Sequence, residues 1–377
     1  MSVWTRFSGI LAVERIAAQL QKGEVSHAWL LTGPRGAGKR GAAFAMAAAL
    51  LCERGPGAAC GECSGCTRAL RGRHPDLHHV SPEGPIIPVD VIREAVIPEA
   101  ARSPFEAVMK VFLVEDADRM NDAAQNALLK TLEEPQPDTV FVLVSDHEEE
   151  VLETIRSRCR VVRLDPVPLQ RLVELLMAEG ASENEARRAA AFSEGDVEAA
   201  RAAAFDETTR GRVRTWRGIP ARLRSPLDAL DAAAEVLAEA KAAAKEREKQ
   251  QKEEVVALAE AMGEGRGTAA ARNALAKRHR RELRRAEEDV LLEALGTLGA
   301  FYRDVLAART GHKGAVWDDD AVTAWAGSTI PDAALVAAVD RCVGAAGTLS
   351  RNANVPLALE SALVELARVA PGSVISD

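Results

Sequence analysis

Ala28-Trp29-Leu30-Leu31-Thr32-Gly33-Pro34-Arg35-Gly36-Ala37-Gly38-Lys39-Arg40 is the stretch that decides the fold. Its first five residues read as a short buried strand. Gly33 to Lys39 fits G-x-x-x-x-G-K, and Gly41 to Leu51 reads as an Ala-rich helix. Strand, glycine turn and helix in that order curl backbone N–H groups, with the positive end of a helix, around phosphate oxygens. Gly33, Gly36 and Gly38 supply the turn, and Lys39 would reach the outer phosphates. A structural glycine turn is the competing reading. Arg40 departs from the pattern, which wants the Ser or Thr hydroxyl that ligates Mg²⁺. Phosphate-loop ancestry and present activity therefore separate: hydrolysis is not expected, and nucleotide binding stays open.

Outward from the loop, Val111–Val114 and Val140–Ser145 read as further buried strands and Val161–Leu164 as a fourth. Asn121 to Glu133 has helical spacing, with Ala124, Leu128 and Leu132 on one face, and Pro135 stops it. Strands alternating with helices imply a mostly parallel α/β sheet. Glu115-Asp116 after the second strand stands where such ATPases carry Asp then Glu. The swap moves the metal-binding carboxylate out by one methylene and draws the base in by one. A misplacement of about 1 Å can cost ~10²-fold in rate. Solvated acids at a strand end are the other reading.

After Pro166 and Pro168 the pattern becomes helical. Long helices are expected from Leu227 and over Ala269 to Ala308, with a loop after Gly311 and helices resuming near Asp332. The basic run Lys277 to Arg285 sits among Glu287, Glu288 and Asp289, so a solvated face or partner contact is expected rather than a DNA site. The 377 residues are 47% hydrophobic and 28% charged, with 4% aromatics and a net charge of −8. A general DNA-holding surface would lean basic. No apolar run approaches the ~20 residues that span a bilayer, and Met1 to Ile10 lacks a signal-like apolar region. A cytoplasmic protein with no membrane partner is the expectation.

Four of the six cysteines cluster as Cys52-x7-Cys60-x2-Cys63-x2-Cys66. In a cytosolic chain such a cluster points to metal. C-x2-C turns present paired thiolates to a closed tetrahedral Zn²⁺, which is structural because no coordination position is left open. Disulfides or a redox role are the alternative. His74, His78 and His79 are expected at the surface. Cys159 reads as a packed small residue, since no base is paired with it.

Ser26-His27-Ala28-Trp29-Leu30, Asn126 to Pro135 (N-A-L-L-K-T-L-E-E-P), Thr154 to Cys159 (T-I-R-S-R-C) and the cysteine insert occur in order over residues 7–165. Together they resemble the clamp-loader subunits of bacterial DNA polymerase III, an AAA+ family. Asn352 to Glu360 is similar to a collar motif of the delta-prime type, while residues 205–330 match no family motif.

The resemblance implies an α/β P-loop AAA+ module over residues 1–165 with a zinc insert at 52–66. A small helical lid over 166–210 and an all-α collar over 211–377 follow. Arg40, the Glu115-Asp116 order and Glu198, where motor subunits carry a lid Arg, favour the non-motor delta-prime type. Asp146 stands where a hydroxyl γ-phosphate sensor is usual. The absence of tau's C-terminal extension agrees. The family places the Ser-Arg-Cys arginine, here Arg158, in the ATP site of the adjacent subunit, a finger supplied in trans. A surface ion-pair role for Arg158 is the alternative. Implied partners are gamma/tau and delta subunits, the beta sliding clamp, and primed DNA through the assembled complex. The function implied is clamp loading in DNA replication, with little or no ATPase of its own. Two alternatives remain: an ATP-hydrolysing gamma/tau-like motor, and an AAA+ scaffold in repair or recombination.

Overall fold

The computed structural model describes residues 2–369 except 8, 83, 85, 194, 263–265, 312–319 and 351–353. The chain forms two compact units, Met1–Leu172 with Ser193–Glu198, and Val173–Phe192 with Ala199–Asp377.

The first unit is built on five parallel strands: β1 Ala28–Thr32, β2 Leu77–Val80, β3 Lys110–Val114, β4 Thr139–Ser145 and β5 Arg160–Arg163. Their order across the sheet is β2-β3-β4-β1-β5. Every residue of β1, β3 and β4 is buried, as a parallel sheet covered on both faces requires. β5 closes one edge and is largely exposed, and the Arg160 guanidinium stands 5.3 Å from the Trp29 ring centre.

The helix Lys39–Leu50 follows the glycine loop, and the helix Asp122–Glu133 starts on an Asn121 cap that accepts the Ala124 N–H at 2.8 Å. Register pairs Thr32 with Ser145 and Val114 with Leu143. The glycine loop, Glu115 and Asp146 therefore all leave the carboxyl edge of the sheet, where ligands of open α/β sheets bind. Gly33 is required at its position: its φ is 140°, and a Cβ there would lie 2.0 Å from the Leu164 carbonyl oxygen. The first unit is thus a parallel α/β sheet with a phosphate loop at its carboxyl edge.

β2 corrects the sequence expectation for the histidines. His74 is buried, and its Nδ1 accepts the Asp76 N–H at 3.1 Å. His78 stacks on Phe112 at 4.7 Å, and His79 meets Phe44 edge-on at 5.3 Å. An imidazole is mostly carbon, so both histidines of the Leu-His-His-Val strand pack against aromatic neighbours as apolar side chains would. Beside it, fully buried Asp76 accepts the N–H groups of Phe105, Glu106 and Ala107 and holds the loop before β3.

The second unit is helical. Its described elements include Pro226–Met262, Arg266–Arg309, Asp332–Ser350 and Val355–Ala367. Their core gathers Trp216, Leu298, Phe301, Tyr302 and Trp325. A buried Arg217–Asp304 ion pair at 3.0 Å lies beside it. The loop expected from Gly311 to Asp332 contains a helix, Asp320–Ala326, because Val322 and Trp325 bury one face. Residues 312–319 lie outside the described residues. So do Asn352 and Ala353 of the collar-like motif, but Asn354 caps the final helix by accepting the Leu357 N–H. In the basic run Arg280 and Arg284 are exposed, while His279 is buried; the side chains of Lys277, Arg278 and Arg281 lie outside the described residues. Among the described residues no helix is long and apolar enough to cross a membrane.

Candidate nucleotide and metal sites

The phosphate loop has the backbone that its sequence dictates. Gly36 and Gly38 adopt φ of 82° and 74°, and Gly38 caps the helix Lys39–Leu50. Lys39 is buried. Its Nζ donates to the Gly33 and Pro34 carbonyls at 2.7 and 2.6 Å and lies 2.8 Å from Asp146 Oδ1. All three ammonium protons thus have acceptors within the chain.

Arg40 and Glu115, read separately in the sequence, meet. Arg40 Nε donates to Glu115 Oε1 at 2.6 Å. Glu115 is buried, and His79 Nε2 lies 3.3 Å from the same oxygen. The alternative of solvated strand-end acids therefore fails for Glu115. The group at the magnesium-hydroxyl position and the first acid neutralise each other. Asp116 sits in the left-handed region at φ 51°, ψ 51°, an uncommon conformation for a residue with a side chain.

More carboxylates crowd the same edge. Asp118 accepts the Asp146 N–H at 3.3 Å, and burial pushes its carboxyl above the usual range. A Cβ added to Gly36 would come within 3.5 Å of Asp196 Cβ. Asp196 is thus set against the loop, and the Glu198 N–H donates to its carboxylate at 2.8 Å.

Cys52, Cys60, Cys63 and Cys66 converge, with all four Sγ atoms within 4.8 Å of one another. The separations Cys52–Cys60, Cys52–Cys63 and Cys60–Cys66 are 3.7, 3.9 and 3.9 Å. Zn–S bonds of about 2.3 Å in a tetrahedron require S···S edges of about 3.8 Å, so the set fits the ion. The N–H groups of Cys63 and Cys66 donate to Cys60 and Cys63 sulfur at 3.4 and 3.3 Å. Backbone N–H groups of Glu62 and Cys63 lower the Cys60 thiol to about 6. Gly61 turns the chain at φ 77°. The histidines flanking the insert take other partners, as described above.

Arg158 lies at the surface after a short helix, Glu153–Arg156. Its Nη1 donates to the Thr154 carbonyl at 2.8 Å, and Nη2 pairs with Glu133. Cys159 packs against the sheet core, and burial raises its thiol to about 12, which suits packing and not nucleophilic use.

The family model described as DNA polymerase III, delta subunit, matches residues 11–168. A DNA polymerase III subunit delta' from Bacillus subtilis is 34% identical over 195 residues, covering 52% of this chain and 59% of that protein. One from Pseudomonas aeruginosa is 45% identical over 148 residues, covering 38% and 44%. Over residues 11–168 the chain is similar to the DNA polymerase III delta subunit family. The tau subunit of Bacillus subtilis is 34% identical over 163 residues, 41% of this chain and 28% of tau. The chain spans about half the length of these delta-prime relatives.

Sequence reasoning located the loop, the acids, the cysteines and Arg158. It missed the Lys39–Asp146 and Arg40–Glu115 pairings, the approach of Asp196 to Gly36 and the hold of Glu133 on Arg158. The one available signal was complementarity: two departures from a motif, one basic and one acidic, suit a pair.

Proposed function

We propose that this chain is a delta-prime-like, non-motor subunit of a DNA polymerase III clamp loader. It works beside gamma/tau and delta subunits, helps set the beta clamp on primed DNA during replication, and lends Arg158 to a neighbour's ATP site. The observation that carries the non-motor reading is the Arg40–Glu115 bond, inside a segment that matches delta-prime relatives. Glu115 offers its near oxygen to a guanidinium instead of a metal, and residue 40 has no hydroxyl. Little or no ATPase of its own follows, in a cytoplasmic protein.

The division at residues 165 and 210 into AAA+ module, lid and ring-forming collar belongs to this reading. Cys52, Cys60, Cys63 and Cys66 would hold a zinc ion, which when bound supplies a closed structural cross-link. Arg158 is exposed enough to leave Glu133 for a phosphate, and a finger in trans is worth about 10³–10⁵ in rate. Reconstitution with motor and delta subunits tests this. Arg158→Ala is expected to cut clamp- and DNA-stimulated ATP turnover about 10³-fold while assembly persists. Unchanged turnover removes the finger, and failure to associate with either clamp or motor subunits removes the replication role. The likeness to tau favours a motor reading instead; Lys39-dependent turnover by the isolated protein would establish it.

A further inference from the structure

We propose that Asp146 is an internal stand-in for phosphate: by binding Lys39 it keeps the phosphate loop closed to nucleotide. The inference rests on the non-motor reading and gives it a gate that can be removed. In a working phosphate loop the lysine ammonium is the charge offered to the outer phosphates. Here Lys39 is buried, two of its donors are taken by carbonyls of its own loop, and the third faces the Asp146 carboxylate. A nucleotide entering this edge would displace that carboxylate.

Displacement is opposed from two sides. The Asp146 N–H is tied to Asp118, and the next N–H, of His147, donates to Ser145 Oγ at 3.1 Å. The carboxylate is thus held at the end of β4 by its own backbone. The same loop has Asp196 beside Gly36, and buried Glu115 lies at the end of β3. The Glu115 charge is met by Arg40. The Asp146 charge is met by Lys39 itself, so the loop is electrostatically complete without a ligand. A triphosphate would add negative charge to an edge where carboxylates already crowd.

The loop backbone keeps the glycine turns of the motif, since Gly33, Gly36 and Gly38 all hold positive φ. Removing the Asp146 charge should therefore restore affinity that depends on Lys39. A charge-assisted contact of this kind is worth about ten- to a hundredfold in binding.

The test is equilibrium binding of ATP, and separately of inorganic tripolyphosphate, to the full chain. Wild type, Asp146→Asn, Asp146→Ser and Lys39→Ala/Asp146→Asn are compared after circular dichroism confirms folding. Expected is no saturable binding by wild type, binding by both single variants at least tenfold tighter, and its loss in the double variant. Wild type binding as tightly as Asp146→Asn overturns the proposal. So does an Asp146 variant that folds yet does not bind, or binding that survives loss of Lys39. Co-purification with motor subunits is read on the same variants, so that a failed gate and a failed clamp-loader assignment give different results.

Discussion

At the residue scale, the carboxyl edge of the sheet is a set of basic groups each met by an acid. The Arg40–Glu115 bond predicts that restoring the motif will not restore chemistry. Arg40→Ser supplies the hydroxyl but leaves buried Glu115 without its guanidinium. Expected is no gain in ATP turnover and a loss of about 1–2 kcal/mol in denaturant stability, a figure kept low because Arg40 is half exposed. Adding Glu115→Gln should recover most of that loss. In the helical unit, Glu293 is pushed up to about 7 by burial, against the pull of Arg212 at 3.1 Å; Asp289 and Asp206 add to the rise. A carboxyl with a raised folded pKa binds more protons folded than unfolded between roughly pH 4.5 and 7, so its contribution to stability falls as pH rises through that window. Glu293→Gln should match wild type near pH 5 and exceed it above pH 7, as read by thermal melts at both values.

At the element scale, the cysteine insert ties two other pieces of chain. Gly57 donates to the Ala49 carbonyl at 2.8 Å at the end of the helix Lys39–Leu50, and Val3 donates to the Ala59 carbonyl at 2.9 Å. Gly65 has no room for a Cβ, which would lie 2.3 Å from the Leu51 carbonyl, and its N–H donates to Glu53 at 2.9 Å. Trp4 and Phe7 are buried beside this junction. A metal that fixes the four sulfurs therefore fixes both the far end of the phosphate-loop helix and the Val3–Phe7 turn. Chelation should raise hydrogen exchange at those two places before the sheet strands β3 and β4 exchange; uniform exchange would contradict it. The helix Asp122–Glu133 shows the same economy. Its buried Gln125 donates to the Met120 and Glu150 carbonyls at 3.1 Å and accepts the Leu152 N–H at 2.8 Å, fixing the path from β4 toward Arg158. The last residue of that helix, Glu133, holds Arg158. Glu133→Gln should leave folding intact and raise, not lower, the ATP turnover of reconstituted motor subunits if Arg158 acts in trans.

At the scale of the whole molecule, a parallel sheet brings the ends of β1, β3 and β4 to one edge, and a helical unit with its own aromatic core follows. The isolated protein is expected to show no Lys39-dependent ATP turnover in a coupled assay. Such turnover would return the motor reading.

Most of the α/β module was legible from local pattern. Apolar runs became β1, β3 and β4, the glycine spacing became a phosphate loop, and the C-x2-C spacing became a converged sulfur set. These are properties of neighbours in sequence, and short-range sterics and periodicity suffice to determine them. What only the tertiary structure decided are the pairings. Lys39 meets Asp146, Arg40 meets Glu115 and Arg158 meets Glu133, and a Leu-His-His-Val segment becomes a packed strand. Each pairing depends on strand order and register, which place residues far apart in the chain within hydrogen-bond reach. No local propensity encodes that distance, since it arises when the sheet closes and the charges at its edge have to find partners.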